Sequence, residues 1–252
     1  MPGQQSEQCE QAEQEDRMTG RMIEFDAGGA PAPGYLATPD AATGPGAPGV
    51  VVLHAWWGLT EPFRQVCDRL AEAGFLALAP DLYRGKTTVS VEEADALGQE
   101  TDQQVERWRG DIQGAVRFLR QSGATVPADG RGAFALVGFS LGGSYALDMS
   151  VNLAEEIAAV VTFYAAWPEP EFRRAKAAYL CHFAEVDPYQ PAELAAEMEQ
   201  ALRAAGRPVT VYPYPGTTHW FFEANRPDAY NAAAAALAWE RTIAFLNAEL
   251  RR

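Results

Sequence analysis

Three histidines and three cysteines in 252 residues leave few ways to build a reactive centre. Cys9, Cys67 and Cys181 are scattered, odd in number and without metal-ligand spacing. They imply neither a disulfide framework nor a cysteine-bound metal, so a reducing cytoplasmic compartment is expected. Cys67 and Cys181 fall in apolar-patterned segments and read as small buried hydrophobes. Basic residues are also scarce, 20 against 34 acids, for a net charge of −14. That balance argues against nucleic acid and against anionic membrane surfaces, both of which need clustered Lys and Arg. No apolar run reaches the ~20 residues of a membrane span. The N-terminus lacks the basic and apolar regions of a secretory signal. No cofactor and no metal site are expected.

Residues 1–20 lack a periodic apolar face. They carry Glu7, Glu10, Glu13, Glu15 and Asp16 against Arg17, so −4 of the −14 lies there and −10 on the rest. They read as a disordered acidic tail, and residues 21–252 as one domain.

What the chain has in quantity is alternation. Met22–Phe25 and Tyr35–Ala37 read as a hairpin, followed by a Gly/Pro-rich loop over 41–48. Strands are expected at Val50–His54, Phe75–Ala79, Ala133–Gly138, Ile157–Tyr164, Ala177–Phe183 and Val209–Tyr214. These runs are apolar rather than alternating, the pattern of strands buried on both faces of a parallel sheet. Helices are expected over 62–73, with Thr60 as N-cap and Gly74 as stop, then from Val91, and over 102–121 with Val105, Trp108, Ile112, Val116 and Leu119 on one face. Further helices are expected over 143–153, 192–205 and 230–250. The fold class is therefore α/β, a mostly parallel twisted sheet with helices on both faces. Ligands in such sheets sit at the carboxyl ends of the strands. His54, Asp81, Ser140, Asp187 and His219 all lie at or just after strand ends, and so at one edge.

Phe134 to Tyr145 reads as strand, sharp turn and helix start around Gly138-Phe-Ser140-Leu-Gly142, the G-x-S-x-G pattern of a nucleophile elbow. The glycines two residues either side of Ser140 suit a place where strand and helix pass too close for a Cβ. A serine hydroxyl needs a base to take its proton. The α/β-hydrolase order is nucleophile, acid, histidine, and His219, in the loop after the last strand, fits it. His182 lies inside a strand and reads as structural. The acid that orients His219 is expected at Asp187, with Glu185 a near rival and Asp228 a distant one. The oxyanion donors are expected to be the backbone N–H groups of Leu141 and Trp56.

Several blocks in order resemble the dienelactone hydrolase family of α/β-hydrolases: His54-Ala-Trp-Trp-Gly-Leu, Ala79-Pro-Asp-Leu-Tyr-Arg-Gly, Gly138-Phe-Ser-Leu-Gly-Gly, His182-Phe-Ala-Glu-Val-Asp-Pro-Tyr-Gln-Pro, Tyr214-Pro-Gly-Thr-Thr-His and Ala238-Trp-Glu-Arg-Thr. The resemblance covers roughly residues 22 to 250. It implies a single-domain α/β-hydrolase fold with Ser140, Asp187 and His219 as the catalytic triad. Three positions depart from the pattern. The usual cysteine nucleophile is Ser140. Ala55 stands where the family usually has a glutamate. Of two arginines that hold a substrate carboxylate in lactone-acting members, the first falls near Arg84 and the second is replaced by Glu223, with Arg226 three residues on. The expected substrate is a small-molecule ester or lactone. His54, Trp56, Trp57, Tyr83, Arg84, Trp167, Tyr189 and Trp220 are the expected pocket residues. A non-catalytic binding protein on the same scaffold, or an acyltransferase or small peptidase, are the other readings of the same residues.

Overall fold

A computed structural model describes residues 20–39, 46–125 and 132–251. The acidic tail with Cys9, most of the 41–48 loop and the turn ahead of the Ser140 strand lie outside the described residues. Eight strands form one sheet: β1 (Arg21–Asp26), β2 (Pro31–Ala37), β3 (Gly49–Leu53), β4 (Leu76–Pro80), β5 (Phe134–Phe139), β6 (Ile157–Phe163), β7 (Ala178–Val186) and β8 (Val209–Thr218). Their order is β1-β2-β4-β3-β5-β6-β7-β8. β1 and β2 pair antiparallel, β2 joins β4 antiparallel, and all other pairs are parallel. The helices are α1 (Glu61–Glu72), α2 (Val91–Asp102), α3 (Val105–Gln121), α4 (Leu141–Asn152), α5 (Ala192–Ala204) and α6 (Ala232–Leu250).

The continuous apolar runs are explained by two cores. On β3, Val51 and Leu53 join a core with Trp108, Ile112 and Leu119 of α3, Tyr145 and Met149 of α4, and Met198 and Leu202 of α5. Val50 and Val52 point the other way, into a core with Phe63, Val66 and Leu70 of α1 and Ala238 and Leu246 of α6. β5 divides likewise, Phe134 and Leu136 from Ala135, Val137 and Phe139. A strand covered on both faces has no polar positions to alternate, because each face excludes water.

Three local expectations are corrected. Thr60 occupies the N-cap of α1, but its side chain makes no capping bond and its buried Oγ1 has no partner among the described residues. The single helix expected over 102–121 begins instead at Val105. Asp102, whose carboxylate accepts a hydrogen bond from Tyr145 Oη at 2.7 Å, ends α2, and Gln103 and Gln104 make the turn. That turn frees α3 to lay Trp108 on Tyr145, with ring centroids 4.3 Å apart. Finally, β7 and β8 run on to Val186 and Thr218, past the expected ends at Phe183 and Tyr214, because the two strands pair again beyond an irregularity, Val186 opposite Thr218.

Candidate active site

The extension of β7 and β8 places the site. Asp187 directly follows Val186, and His219 directly follows Thr218, so paired strand ends deliver the two side chains to one point. His219 Nδ1 lies 2.6 Å from Asp187 Oδ2, with both side chains buried. The other carboxylate oxygen, Oδ1, accepts the N–H groups of Tyr189 and Gln190, each at 2.9 Å. Gln190 Oε1 in turn accepts the Ala166 N–H, anchoring this loop to the one after β6.

Two strands away, Ser140 follows β5 with φ +50° and ψ −117°, an orientation disfavoured for a residue with a Cβ. The Ser140 N–H donates to Phe163 O of β6 at 2.9 Å, which helps hold the turn. Glycine is required on both sides. A Cβ on Gly138 would stand 2.4 Å from Gly142 O, and one on Gly142 would stand 2.4 Å from Leu53 O and 2.5 Å from His54 O. The turn lifts Ser140 Oγ to 2.9 Å from His219 Nε2. With a carboxylate at Nδ1, the ring's proton is held on Nδ1 and Nε2 faces the hydroxyl as an acceptor.

The contact between Gly142 and the Leu53 and His54 carbonyls also brings the loop after β3 against the start of α4. Leu141, the first residue of α4, has an N–H with no acceptor inside the helix. Trp56 is in the facing loop, and its N–H has no backbone acceptor among the described residues.

Around this relay is an aromatic wall. The Tyr189, Tyr164 and Trp220 rings lie 4.9, 4.8 and 4.9 Å from the His219 ring. Trp56 meets Tyr189 at 6.0 Å, and Trp57 meets Trp220 at 5.2 Å. Tyr189 is 45% exposed, so the wall reaches solvent. Four expected pocket residues stand elsewhere. His54 is buried, with Nδ1 on Ala55 O at 2.8 Å and Nε2 accepting the Leu82 N–H at 3.2 Å. Burial lowers its pKa, so it is a neutral tie between the loops after β3 and β4. Tyr83 is buried in the core behind His54. Arg84 is bound to Asp111 at 2.7 Å and to Asp81 O at 3.2 Å, and is not free to meet a substrate carboxylate. Trp167 packs beside Met198, its N–H 3.5 Å from Met198 Sδ, and makes no ring contact with the wall among the described residues.

The rival acids are placed apart from His219. Glu185 Oε2 accepts the Gly216 N–H at 2.8 Å, and the exposed Asp228 lies 3.7 Å from Arg226 Nε. His182 is structural as expected, bonded to Tyr214 Oη and Thr242 Oγ1, with burial pushing its pKa down to about 3. The sequence reading missed Tyr164 and the role of Glu223. Tyr164 has φ +40° and donates its hydroxyl to Glu223 Oε1 at 2.7 Å. Glu223 is 1% exposed, and burial raises its pKa to about 8. An acid in the run Phe221-Phe222-Glu223 was the available signal, since an acid among buried aromatics must stay protonated or find a partner. Among the described residues no cluster of His, Cys, Asp and Glu could hold a metal, and no helix is long and apolar enough to cross a membrane.

A parallel sheet whose strand ends present a strained serine, a histidine and a carboxylate in series defines the α/β-hydrolase class. Comparison with known proteins agrees. The model of the dienelactone hydrolase family matches residues 32–250. Protein usf of Aquifex pyrophilus is 31% identical over 232 residues, spanning 90% of this chain and 97% of that protein. Among solved structures, the dienelactone hydrolase-like promiscuous phosphotriesterase P91 from metagenomic libraries superposes with a TM-score of 0.81 at 23% identity, covering 92% of this chain and 98% of its own. The structure called m3DLH does so at 0.80 and 25%, covering 91% and 98%. The chain belongs to the dienelactone hydrolase family, hydrolases of carboxylic ester and lactone bonds.

Proposed function

We propose that this protein hydrolyses an uncharged carboxylic ester or lactone through an acyl-enzyme on Ser140. The observation that carries the reading is the continuous relay of 2.9 and 2.6 Å from Ser140 Oγ through His219 to Asp187. Ser140 Oγ attacks the carbonyl carbon as His219 Nε2 takes its proton. Asp187 keeps the ring oriented and offsets the charge of the imidazolium. The carbonyl oxygen becomes negative and is held by the Leu141 and Trp56 N–H groups, each such donor contributing about 3 kcal/mol to the transition state. His219 returns the proton to the leaving alkoxide. Water then enters, gives its proton to His219 and attacks the acyl ester; His219 passes that proton to Ser140 Oγ as the acyl–Oγ bond breaks, freeing the serine hydroxyl and the carboxylic acid, which ionises.

Ala55 fits this chemistry. A serine whose proton goes to His219 needs no second carboxylate beside it, and Ala55 is fully buried. The preference for an uncharged substrate rests on Arg84, whose guanidinium is committed to Asp111, and on the aromatic wall beside His219. The test is turnover of p-nitrophenyl esters of increasing acyl length by the wild type and by Ser140→Ala. Turnover and fluorophosphonate labelling that both vanish in the variant are expected. A variant that retains its ester turnover would sink the assignment. Saturable binding without turnover in the wild type would favour a binding protein, and acylation of an added alcohol would favour a transferase.

A further inference from the structure

Away from the triad, a cavity of about 320 Å³ opens between α1 and the start of α6. Gln65, Val66 and Arg69 face it from α1, Phe222 from the segment after His219, and Tyr230 and Ala235 from the far wall. That volume is enough for a small organic ligand. The lining mixes apolar side chains with the polar ends of Gln65 and Tyr230, and holds one charge. The Arg69 guanidinium stacks over the Trp239 ring at 4.0 Å and lies 5.9 Å from the Phe222 centroid. It makes no hydrogen bond or ion pair with any described residue, and neither does the Tyr230 hydroxyl beside it. Glu72, one turn further along α1, acts on Arg69 only through its charge and not through an ion pair or hydrogen bond, so the guanidinium edge is left open. Burial lowers the pKa of Arg69, opposed in part by the charges of Tyr230 and Glu72.

We propose that this cavity is a second small-molecule site, separate from the triad, that takes a monocarboxylate with an apolar body. Stacking on Trp239 engages the face of the guanidinium and leaves its N–H edge open. That edge matches the two oxygens of a carboxylate, and in a partly desolvated setting such a pair is stronger than in water. The aliphatic or aromatic part of the ligand lies on Val66, Phe222 and Ala235. Tyr230 offers a further hydroxyl at the rim. The carboxylate released by ester hydrolysis is of this chemical class. The wall it would press is shared with the nucleophile: Phe222 lies 5.4 Å from Phe139, the residue before Ser140, and 4.6 Å from Phe163, whose carbonyl holds the Ser140 N–H.

The experiment is a calorimetric titration of the full chain with phenylacetate and hexanoate, and with phenylacetamide as the uncharged match. Binding is read directly, so the outcome does not depend on the hydrolase reading. Saturable one-to-one binding of the acids is expected, with the amide about tenfold weaker or more, as for loss of a charged hydrogen bond. Arg69→Met weakens the acids by about the same factor, Arg69→Lys by less, and Ala236→Trp, which fills the cavity from an exposed position on α6, abolishes binding. Ser140→Ala leaves it unchanged. Absence of saturable binding, equal affinity for the amide, or affinity indifferent to Arg69→Met or to Ala236→Trp overturns the proposal. So does binding lost in Ser140→Ala, which would put the acid at the triad.

Discussion

Glu223 should make the stability of this protein fall as pH rises, and Glu223→Gln should remove that fall. The side chain is buried, receives one hydrogen bond from Tyr164 and has a second oxygen without a partner among the described residues. Burial raises its pKa from 4.5 to about 8, opposed by the Tyr164 hydrogen bond and by the charge of Arg226. In the unfolded chain the carboxyl ionises near its ordinary value, while the folded chain keeps the proton to about pH 8. Between those limits the native state holds the extra proton, so stability is fully present below about pH 4.5 and is lost as pH climbs toward 8. Each pH step costs about 1.4 kcal/mol, and the loss attributable to Glu223 is at most about 4–5 kcal/mol by pH 8–9. Glutamine keeps the shape and the acceptor for Tyr164 but cannot ionise. Urea unfolding of both proteins at intervals from pH 5 to pH 9 is the assay. The variant should match the wild type within about 1 kcal/mol at pH 5 and exceed it by several at pH 9, the other titrating groups being common to both. A difference that stays constant across this range would refute the reasoning and mean that Glu223 is ionised in the native state.

Three further outcomes follow from the same geometry. Asp187→Asn removes the charge that fixes the His219 tautomer, and kcat for p-nitrophenyl esters should fall by about 10³–10⁴ with circular dichroism unchanged; a loss under tenfold would return the role to another acid. Gly142→Ala puts a methyl 2.4 Å from Leu53 O, and since backbone on both sides must move, urea unfolding should show a loss of at least about 2 kcal/mol; a smaller loss would mean that the elbow yields. Arg84→Met leaves the buried Asp111 without its cation and should cost about 3 kcal/mol of stability, while KM for neutral esters stays within about twofold of wild type; a variant of full stability with raised KM would make Arg84 a substrate ligand.

The parallel sheet was legible in the sequence because strands covered on both faces are apolar rather than alternating, as Val50–Leu53 is. The elbow was legible for a related reason: Gly138 is required by its contact with Gly142 and Gly143 a few residues on, so that part of the pattern carries its own geometry, whereas Gly142 is required by the Leu53 and His54 carbonyls of a distant strand end. Ser140, Asp187 and His219 could be placed at one edge from strand ends alone. The contacts among them could not. Their separations in sequence say nothing of distance: Asp187 was expected from its place after a strand, and what sets it apart from Glu185 in space is the Val186–Thr218 pairing, with one acid on His219 and the other on Gly216.

Side chains whose role depends on partners far along the chain were misplaced from sequence or missed. Arg84 and His54 sit at the right edge, yet Asp111 and the Leu82 N–H occupy their polar atoms. Tyr164 and Glu223, 59 residues apart, become one hydrogen-bonded pair beside His219 only when β6 and the segment after β8 are brought together. The sequence by itself determined what periodicity and short-range sterics encode: the α/β layering, the elbow and the edge at which the chemistry lies. The tertiary structure decided which carboxylate meets the histidine, which arginine is already paired and which acid stays protonated. Hydrogen bonds and desolvation depend on ångström distances between distant segments, and no local pattern records those.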